Sequence, residues 1–473
     1  MFSKETYIRR RRTLLEKMKG EKGIAVFTGN TESPAQYRDN CYKWRQDSTW
    51  LYLWGIDEPR FAAILDLESG EEKIYADDFG IDDIIWMGPM ESVSSQAAAV
   101  GVDKTSPYAE FVRDACEARA KGRTIHFVPA SREYNASVIS EITGLSPADC
   151  ISKGRKGCEH ASATLVNALV EMRLVKEDVE IEELDAVAEL GFEMHSTARR
   201  MIKPGIVEQE IVGAMEGITL AKGWGTSFPT ILTQHGEIFH CHSHAGTIVP
   251  GKLAVVDAGV ESNSHYASDH TRTYPTSGKF TPRQRDIYSI VCECNNYAFS
   301  LIKPGIRYKD IHLDVAALML ERLVDVGLVK GSVEDMKNEG VAGLFMPHGL
   351  GHNMGLDVHD MEDYGEDILG YDRDQKRSSQ LGLGSLRMAR KLQKGHVITD
   401  EPGIYFIPDL IEKWKREGKC KEFINYDKLA SWYDFGGIRL EDDVIVTADG
   451  ARRTGSRRLP ITVEEVEEAM AND

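Results

Sequence analysis

A hexapeptide at residues 201–206, Met-Ile-Lys-Pro-Gly-Ile, returns at residues 301–306 as Leu-Ile-Lys-Pro-Gly-Ile, and each copy has an isoleucine five residues further on, Ile211 and Ile311. Proline and glycine break helices, so each copy marks where one helix ends and the next begins. A second pair of segments keeps the same order. Gly251-Lys252-Leu253-Ala254-Val255-Val256 runs into Asp257, and Gly395-His396-Val397-Ile398-Thr399-Asp400 runs into Glu401. Each half thus delivers a carboxylate at the end of an apolar strand, which constrains the chain to two related α+β halves facing each other across one site.

The 57 Lys and Arg against 75 Asp and Glu leave a net charge of −18 at pH 7, which argues against a partner with a phosphate backbone. With 42% hydrophobic residues the chain can bury a large core. No stretch approaches the ~18 uninterrupted apolar residues of a membrane span, so neither nucleic acid nor membrane is an expected partner. The basic run Arg9 to Arg12 is flanked by Glu5 and Glu16, and with Tyr7, Leu14, Leu15 and Met18 it suits a packed amphipathic helix better than a targeting peptide. The eight cysteines are scattered with no CxxC pair, so they read as reduced structural thiols in a cytoplasmic protein.

Residues 1–158 alternate helix-like segments with short apolar runs, Gly23 to Phe27 and Phe61 to Leu65, the pattern of an α/β domain. They hold no catalytic constellation. A polar stretch around Ser152 to His160 then leads into a long helical pattern over 161–201, which sets the expected domains at 1–158 and 159–473.

Chemistry gathers in the second part. Residues 254–273 read as a β-hairpin whose two aspartates, Asp257 and Asp269, lie symmetrically about Asn263 and are expected to face each other. Carboxylates placed opposite on neighbouring strands repel unless a cation lies between them. Pro347 to Asp360 packs His348, His352 and His359 among three glycines, a density that excludes a helix and suggests backbone passing close to a ligand. Glu401 ends its strand before a Pro-Gly turn. In Gly437-Ile438-Arg439-Leu440-Glu441, strand alternation puts Arg439 and Glu441 on one face.

These motifs, in this order, resemble those of the pita-bread metallopeptidases over residues 161–450. The N-terminal part, from Arg45-Gln46-Asp47-Ser48 through Gly55-Ile56-Asp57-Glu58-Pro59, is similar to the accessory domain of aminopeptidase P and prolidase. The resemblance implies an α/β N-terminal domain followed by a pita-bread catalytic domain with an internal pseudo-twofold repeat. It implies Asp257, Asp269, His352, Glu401 and Glu441 as ligands of two divalent ions, with Asp269 and Glu441 as bridges. Four carboxylates and one imidazole form a hard, oxygen-rich set suited to Mn²⁺, with Co²⁺, Zn²⁺ or Fe²⁺ as substitutes. Two ions ~3.5–4 Å apart would lower the pKa of a bridging water and polarise the scissile carbonyl.

By the same resemblance Glu401 moves the proton from the attacking water to the leaving nitrogen, and His240 and His359 contact substrate and stabilise the tetrahedral intermediate. His348 belongs on the leaving-group side, Arg439 joins the catalytic set and Tyr405 the substrate-binding set. His240 is chosen over its neighbours because it precedes Asp257 by 17 residues. His242 and His244 would suit a separate HxHxH site, but no further ligand pattern accompanies them, and His244 stands where the aminopeptidase P pattern has Asn.

The segment Leu383 to Arg390 looks like the prolidase segment whose first arginine, here Arg387, grips the carboxylate of a C-terminal proline with two parallel hydrogen bonds. Xaa-Pro dipeptides are therefore the expected substrates. Two alternatives stand beside this reading: Xaa-Pro aminopeptidase activity on longer peptides, and a pita-bread binding module that has lost its metals. The accessory domain is expected to supply a homodimer or homotetramer contact.

Overall fold

A computed structural model describes residues 2–472 and divides into two compact units, one of Met1–Arg173 with Met361–Leu369, the other of Leu174–Asp360 with Gly370–Asp473.

The apolar runs of the first unit become the middle of a five-stranded mixed sheet. Its strands are β1 (Ile24–Thr28), β2 (Ala62–Asp66), β3 (Glu72–Tyr75), β4 (Thr105–Ser106) and β5 (Ile125–His126), in the order β4-β3-β2-β1-β5. Ile24, Val26 and Ile64 of the sheet pack with Phe111 and Ala115 of helix Ala109–Ala120 and with Ile139 and Ile142 of helix Glu133–Thr143. The first helix, Lys4–Lys17, starts on the Ser3 side chain, which accepts from the Thr6 N–H. Two arginines of its basic run are buried. Arg10 donates to the Tyr52 carbonyl at 3.0 Å, while Arg11 donates to the carbonyls of Leu53 (2.8 Å) and Val100 (2.7 Å) and pairs with Glu72. Those charges satisfy backbone oxygens inside the unit, the opposite of an exposed signal.

The first unit continues past residue 158 to Arg173 and includes helix Ala163–Leu174. The single helix expected over 161–201 is in fact two, Ala163–Leu174 and Asp178–Met201. Glu177 is extended (φ −71°, ψ 160°), and its N–H donates to the Glu180 carboxylate at 2.9 Å. A local cap of that kind starts a new helix, a signal that helical periodicity does not carry.

The second unit bears out the sequence repeat atom by atom. Helix Asp178–Met201 ends before Pro204-Gly205 and helix Glu208–Lys222 follows; helix Pro282–Leu301 ends before Pro304-Gly305 and helix Tyr308–Val326 follows. In the first copy the Gly205 N–H donates to the Ile248 carbonyl and the Ile248 N–H to the Ile206 carbonyl. In the second, the Gly305 N–H donates to the Leu392 carbonyl and the Leu392 N–H to the Ile306 carbonyl. Gly205 and Gly305 take left-handed φ values of 94° and 91°, which glycine adopts without strain.

Each half then builds a small antiparallel sheet. The strands are β6 (Gly225–Thr226), β7 (Ile231–Thr233), β8 (Leu253–Ala258), β9 (Val260–Glu261) and β10 (His270–Pro275) in one half. In the other they are β11 (Val397–Asp400), β12 (Gly403–Tyr405), β13 (Gly437–Arg439), β14 (Asp442–Val446) and β15 (Ala451–Arg453). The main sheets run β10-β8-β7 and β11-β14-β15.

The hairpin register differs from expectation. Asp257 of β8 lies opposite Thr271 of β10, so Asp269 is diagonal to it and precedes the paired strand. His265 is the reason. It takes a left-handed φ of 69°, and the Ser262 N–H donates to the Tyr266 carbonyl, which closes a three-residue loop over Asn263, Ser264 and His265. The slip is two residues in partner, an even number, so both aspartates keep the same face of the sheet. Among the described residues no helix is long and apolar enough to cross a membrane.

Candidate metal centre

β8, the residue before β10, the residue after β11 and the β13–β14 connection deliver their carboxylates to one place. Asp269, His352 and Glu441 are buried and present one ligand atom each, all within 4.8 Å of one another. His352 Nε2 lies 3.3 Å from Asp269 Oδ2 and 3.8 Å from Glu401 Oε1. Asp257 stands at the edge of this group, its Oδ2 accepting from Arg439 Nη2 at 2.5 Å. The five expected ligands therefore form a close trio, with Glu401 beside His352 and Asp257 held by an arginine.

The glycines around His352 face protein, not a ligand. A Cβ on Gly351 would collide with the Thr399 carbonyl, and one on Gly349 with the Leu386 backbone. That close approach lets the loop pair with β11: the Thr399 N–H donates to the His352 carbonyl at 3.0 Å, and the Glu401 N–H to the Leu350 carbonyl at 2.9 Å. His352 and Glu401 are placed by the same backbone ladder.

Burial first, and then mutual repulsion, raises the carboxyls. Asp269 is held well above the usual range by burial and by Asp257, Asp443 and Glu401. Glu441 is held well above it by burial and by Asp269, Glu401 and Asp257. Glu401 is raised by burial, with His352 and Arg439 opposing. Asp257 Oδ1 and Asp269 Oδ1 are buried with no hydrogen-bond partner. Buried, mutually repelling oxygens without donors are the condition a divalent cation relieves. The donor set and its unsatisfied oxygens fit divalent metal.

Next to the trio runs a chain of donors. Arg439 Nη1 donates to the Tyr405 hydroxyl at 2.9 Å, which lies 2.9 Å from His348 Nε2, while His348 Nδ1 is 2.7 Å from the Gly349 carbonyl. The carbonyl requires the proton on Nδ1, so Nε2 accepts from Tyr405. Burial lowers His348 to about 3 and keeps it neutral. Phe239 packs edge-on against both His348 (5.5 Å) and Tyr405 (4.5 Å).

The remaining expected residues gather around the same place. His359 stacks on His352 with centroids 3.8 Å apart and planes 28° from parallel. His240 is exposed, and its pKa is lowered by partial burial and by the charges of Arg439, His242 and Arg387, with Asp257 opposing. Arg387 lies half-buried in a loop, not on a helix, and its charge also acts on Glu401. His242 stacks near His240 at 6.3 Å, whereas His244 turns away to the Leu232 carbonyl, so the HxHxH run does not converge.

Two residues bonded to the trio lie outside the residues expected from the sequence. Thr271 Oγ1 donates to Glu441 Oε2 at 2.6 Å and accepts from Arg439 Nε at 3.2 Å. Its signal was its place two residues after Asp269, on the same strand face. Asp443 accepts from the Asp269 N–H at 2.9 Å, a contact between sequence-distant strands that no local pattern announces.

Two α+β halves with clustered carboxylates and a single imidazole define a metal-dependent hydrolase. Matches to known proteins sharpen that class. The family model "metallopeptidase family M24" covers residues 182–448, and the model of the aminopeptidase P N-terminal domain covers 7–126. The chain belongs to metallopeptidase family M24. It is 31% identical to the human Xaa-Pro dipeptidase over 457 residues, 95% of this chain and 88% of that one. To the Escherichia coli Xaa-Pro aminopeptidase it is 27% identical over 484 residues, 99% and 98% of the two chains. Among solved structures, proline aminopeptidase P II from Yersinia pestis superimposes with a TM-score of 0.80 at 26% identity, covering 100% of both chains. Aminopeptidase P from E. coli with the inhibitor Pro-Leu gives 0.79 at 26% identity, covering 100% and 99%.

Proposed function

We propose that this metallopeptidase hydrolyses the bond between a first residue and a following proline, with Xaa-Pro dipeptides as its preferred substrates. The buried trio of Asp269, His352 and Glu441 carries the reading of a peptidase. The dipeptide preference rests on Arg387, whose charge acts on both His240 and Glu401 and whose guanidinium is suited to grip the carboxylate of a short substrate. The human Xaa-Pro dipeptidase, similar along 95% of this chain, supports it. Aminopeptidase P activity on longer peptides is the second reading, favoured by the full-length likeness to aminopeptidase P structures. A binding module without metal is disfavoured, because all five ligand positions are filled.

Asp257, Asp269, His352, Glu401 and Glu441 would hold two divalent ions, Mn²⁺ first by the hardness of the set, and the ions would supply an activated water and a polarised carbonyl. Glu401 takes a proton from the attacking water and gives it to the proline nitrogen as that nitrogen leaves. His359 and His240 donate to the oxygen that gains charge at the scissile carbon, and His348 meets the leaving side. Tyr405 fixes His348 and contacts substrate, while Arg439 holds Asp257 in place through its Oδ2. Arg387 accepts the free carboxylate of the product proline.

The functional domains are taken as an accessory part over 1–158 and a catalytic part over 159–473. Self-association as a dimer or tetramer is supported by helix Ile81–Met87 of the accessory part, where Ile81, Ile85, Trp86 and Met87 are each more than 60% exposed. The eight unpaired thiols suit a reducing cytoplasm.

Hydrolysis of Ala-Pro beside Ala-Pro-Ala by the Mn²⁺-loaded protein, with a chelator control, tests the proposal. Chelator-sensitive cleavage of the dipeptide alone is the expected result. Preference for the tripeptide would establish the second reading, and no cleavage of either would favour the binding module.

A further inference from the structure

A lysine is buried where the chain enters the second unit. Lys176 follows the crossing after Arg173, and Asp360 is the last residue before the chain returns to the first unit. Their side chains are 1% and 2% exposed, with Nζ 3.4 Å from Asp360 Oδ2 and 3.4 Å from Asn353 Oδ1. The backbone closes the same ring: the Asp360 N–H donates to the Asn353 carbonyl at 3.1 Å, and the Lys176 N–H to the Gly395 carbonyl at 2.8 Å. A Cβ on Gly355 would meet both the Asp360 carboxylate and the Lys176 stem, so the intervening loop is wrapped around the ammonium.

Asn353 and Asp360, which Lys176 bonds, each directly follow a histidine. Asn353 follows His352 and its carbonyl lies 3.2 Å from His352 Nδ1; Asp360 follows His359. The two imidazoles stack at 3.8 Å. A buried ion pair is a costly way to fill space, since an apolar side chain of similar size packs as well, but it fixes one geometry.

We propose that Lys176 is a positioning residue: its ammonium ties the two ends of the 353–360 loop and so sets His352 and His359 relative to each other. The inference rests on the reading of His352 as a ligand and His359 as a substrate contact. It predicts that Lys176 acts on metal affinity and turnover from outside the site, as partners that orient ligands do.

The test compares wild-type protein with K176M/D360N, which removes both charges together and keeps an acceptor for the Asp357 N–H. K176M alone removes only one charge of the pair and serves as a second point. Mn²⁺ binding by calorimetry, Ala-Pro kinetics and melting of the metal-free protein are the readouts. The expected result is about tenfold weaker Mn²⁺ binding and a kcat lower by roughly 10–100-fold, with KM and the metal-free melting point little changed. A double variant that binds Mn²⁺ and turns over like wild type, or one that changes only in melting point, overturns the inference. Wild-type protein that binds no Mn²⁺ would instead overturn the metal reading, and the inference with it.

Discussion

Arg439 and Asp257 are joined at 2.5 Å inside the second unit, a buried guanidinium on a carboxylate whose other oxygen has no donor. The same guanidinium reaches Tyr405 and Thr271. It is therefore a positive charge placed to offset Asp257, Glu401 and Glu441 together. Replacing it with methionine should lower kcat/KM for Ala-Pro by on the order of 10–100-fold, as for other groups that orient metal ligands. Arg439→Lys should recover little, because an ammonium cannot span both partners in a planar fork. Steady-state kinetics at saturating Mn²⁺ would decide, and wild-type rates in the lysine variant would contradict the role.

In the proposed function Arg387 would set the length of substrate. Arg387→Ala should raise KM for Ala-Pro at least tenfold while changing Ala-Pro-Ala much less, since a charge-assisted contact to a free carboxylate contributes ~1.5–3 kcal/mol. The ratio of the two kcat/KM values is the measurement. Equal losses on both substrates would assign Arg387 to the shape of the site instead.

Metal binding should expel protons. Burial and mutual repulsion raise Asp269, Glu401 and Glu441, and only the ionised forms ligate. Lowering the pH therefore favours the protonated, metal-free state, and Mn²⁺ affinity should rise as pH rises. Titration calorimetry in buffers of different ionisation enthalpy reads the released protons directly. Heat that is independent of buffer would count against ligation by these carboxyls.

Acid should also destabilise the second unit through its buried neutral histidines. Burial lowers His312 to about 4 and His195 to about 4, and lowers His396 to about 3. The unfolded chain takes up these protons from about pH 6.5 downward, whereas the folded chain resists until the lowered values. Their stabilisation is complete above about pH 6.5 and is lost as pH falls toward 4. His312→Leu should flatten this slope by up to ~1.4 kcal/mol per pH unit, the share of one proton. Urea midpoints at pH 7.5 and pH 5 would show it, and parallel losses in both proteins would not.

The repeat was legible because Pro-Gly must punctuate helices, and both copies prove to end one helix and start another. Asp257, Asp269, His352 and Glu401 drew attention because strand ends and glycine-rich turns bracket them in sequence, whereas Glu441, and the five as one ligand set, came only with the resemblance to the pita-bread metallopeptidases. The hairpin register could not be found, since it hangs on the left-handed backbone of His265, a residue type that does not announce it. Thr271 and Asp443 were hidden for another reason. Their partners, Glu441 and Asp269, lie on strands far away in sequence, and only the folded sheet brings them within reach. The break at Glu177 depended on a cap, a local bond that competes with an otherwise continuous helical pattern.

The excursion of Met361–Leu369 into the first unit bears on how the polypeptide is made. Within that unit Tyr364 is fully buried, its hydroxyl on Thr49, and Ser131 bonds the neighbouring Asp363 at 2.8 Å. These contacts must wait until the ribosome has passed the Asp257–Asp269 hairpin and the His352 loop. The amino-terminal unit is thus finished by a segment translated after much of the other, and no single cleavage of the gene would separate the two into complete, independently folding pieces.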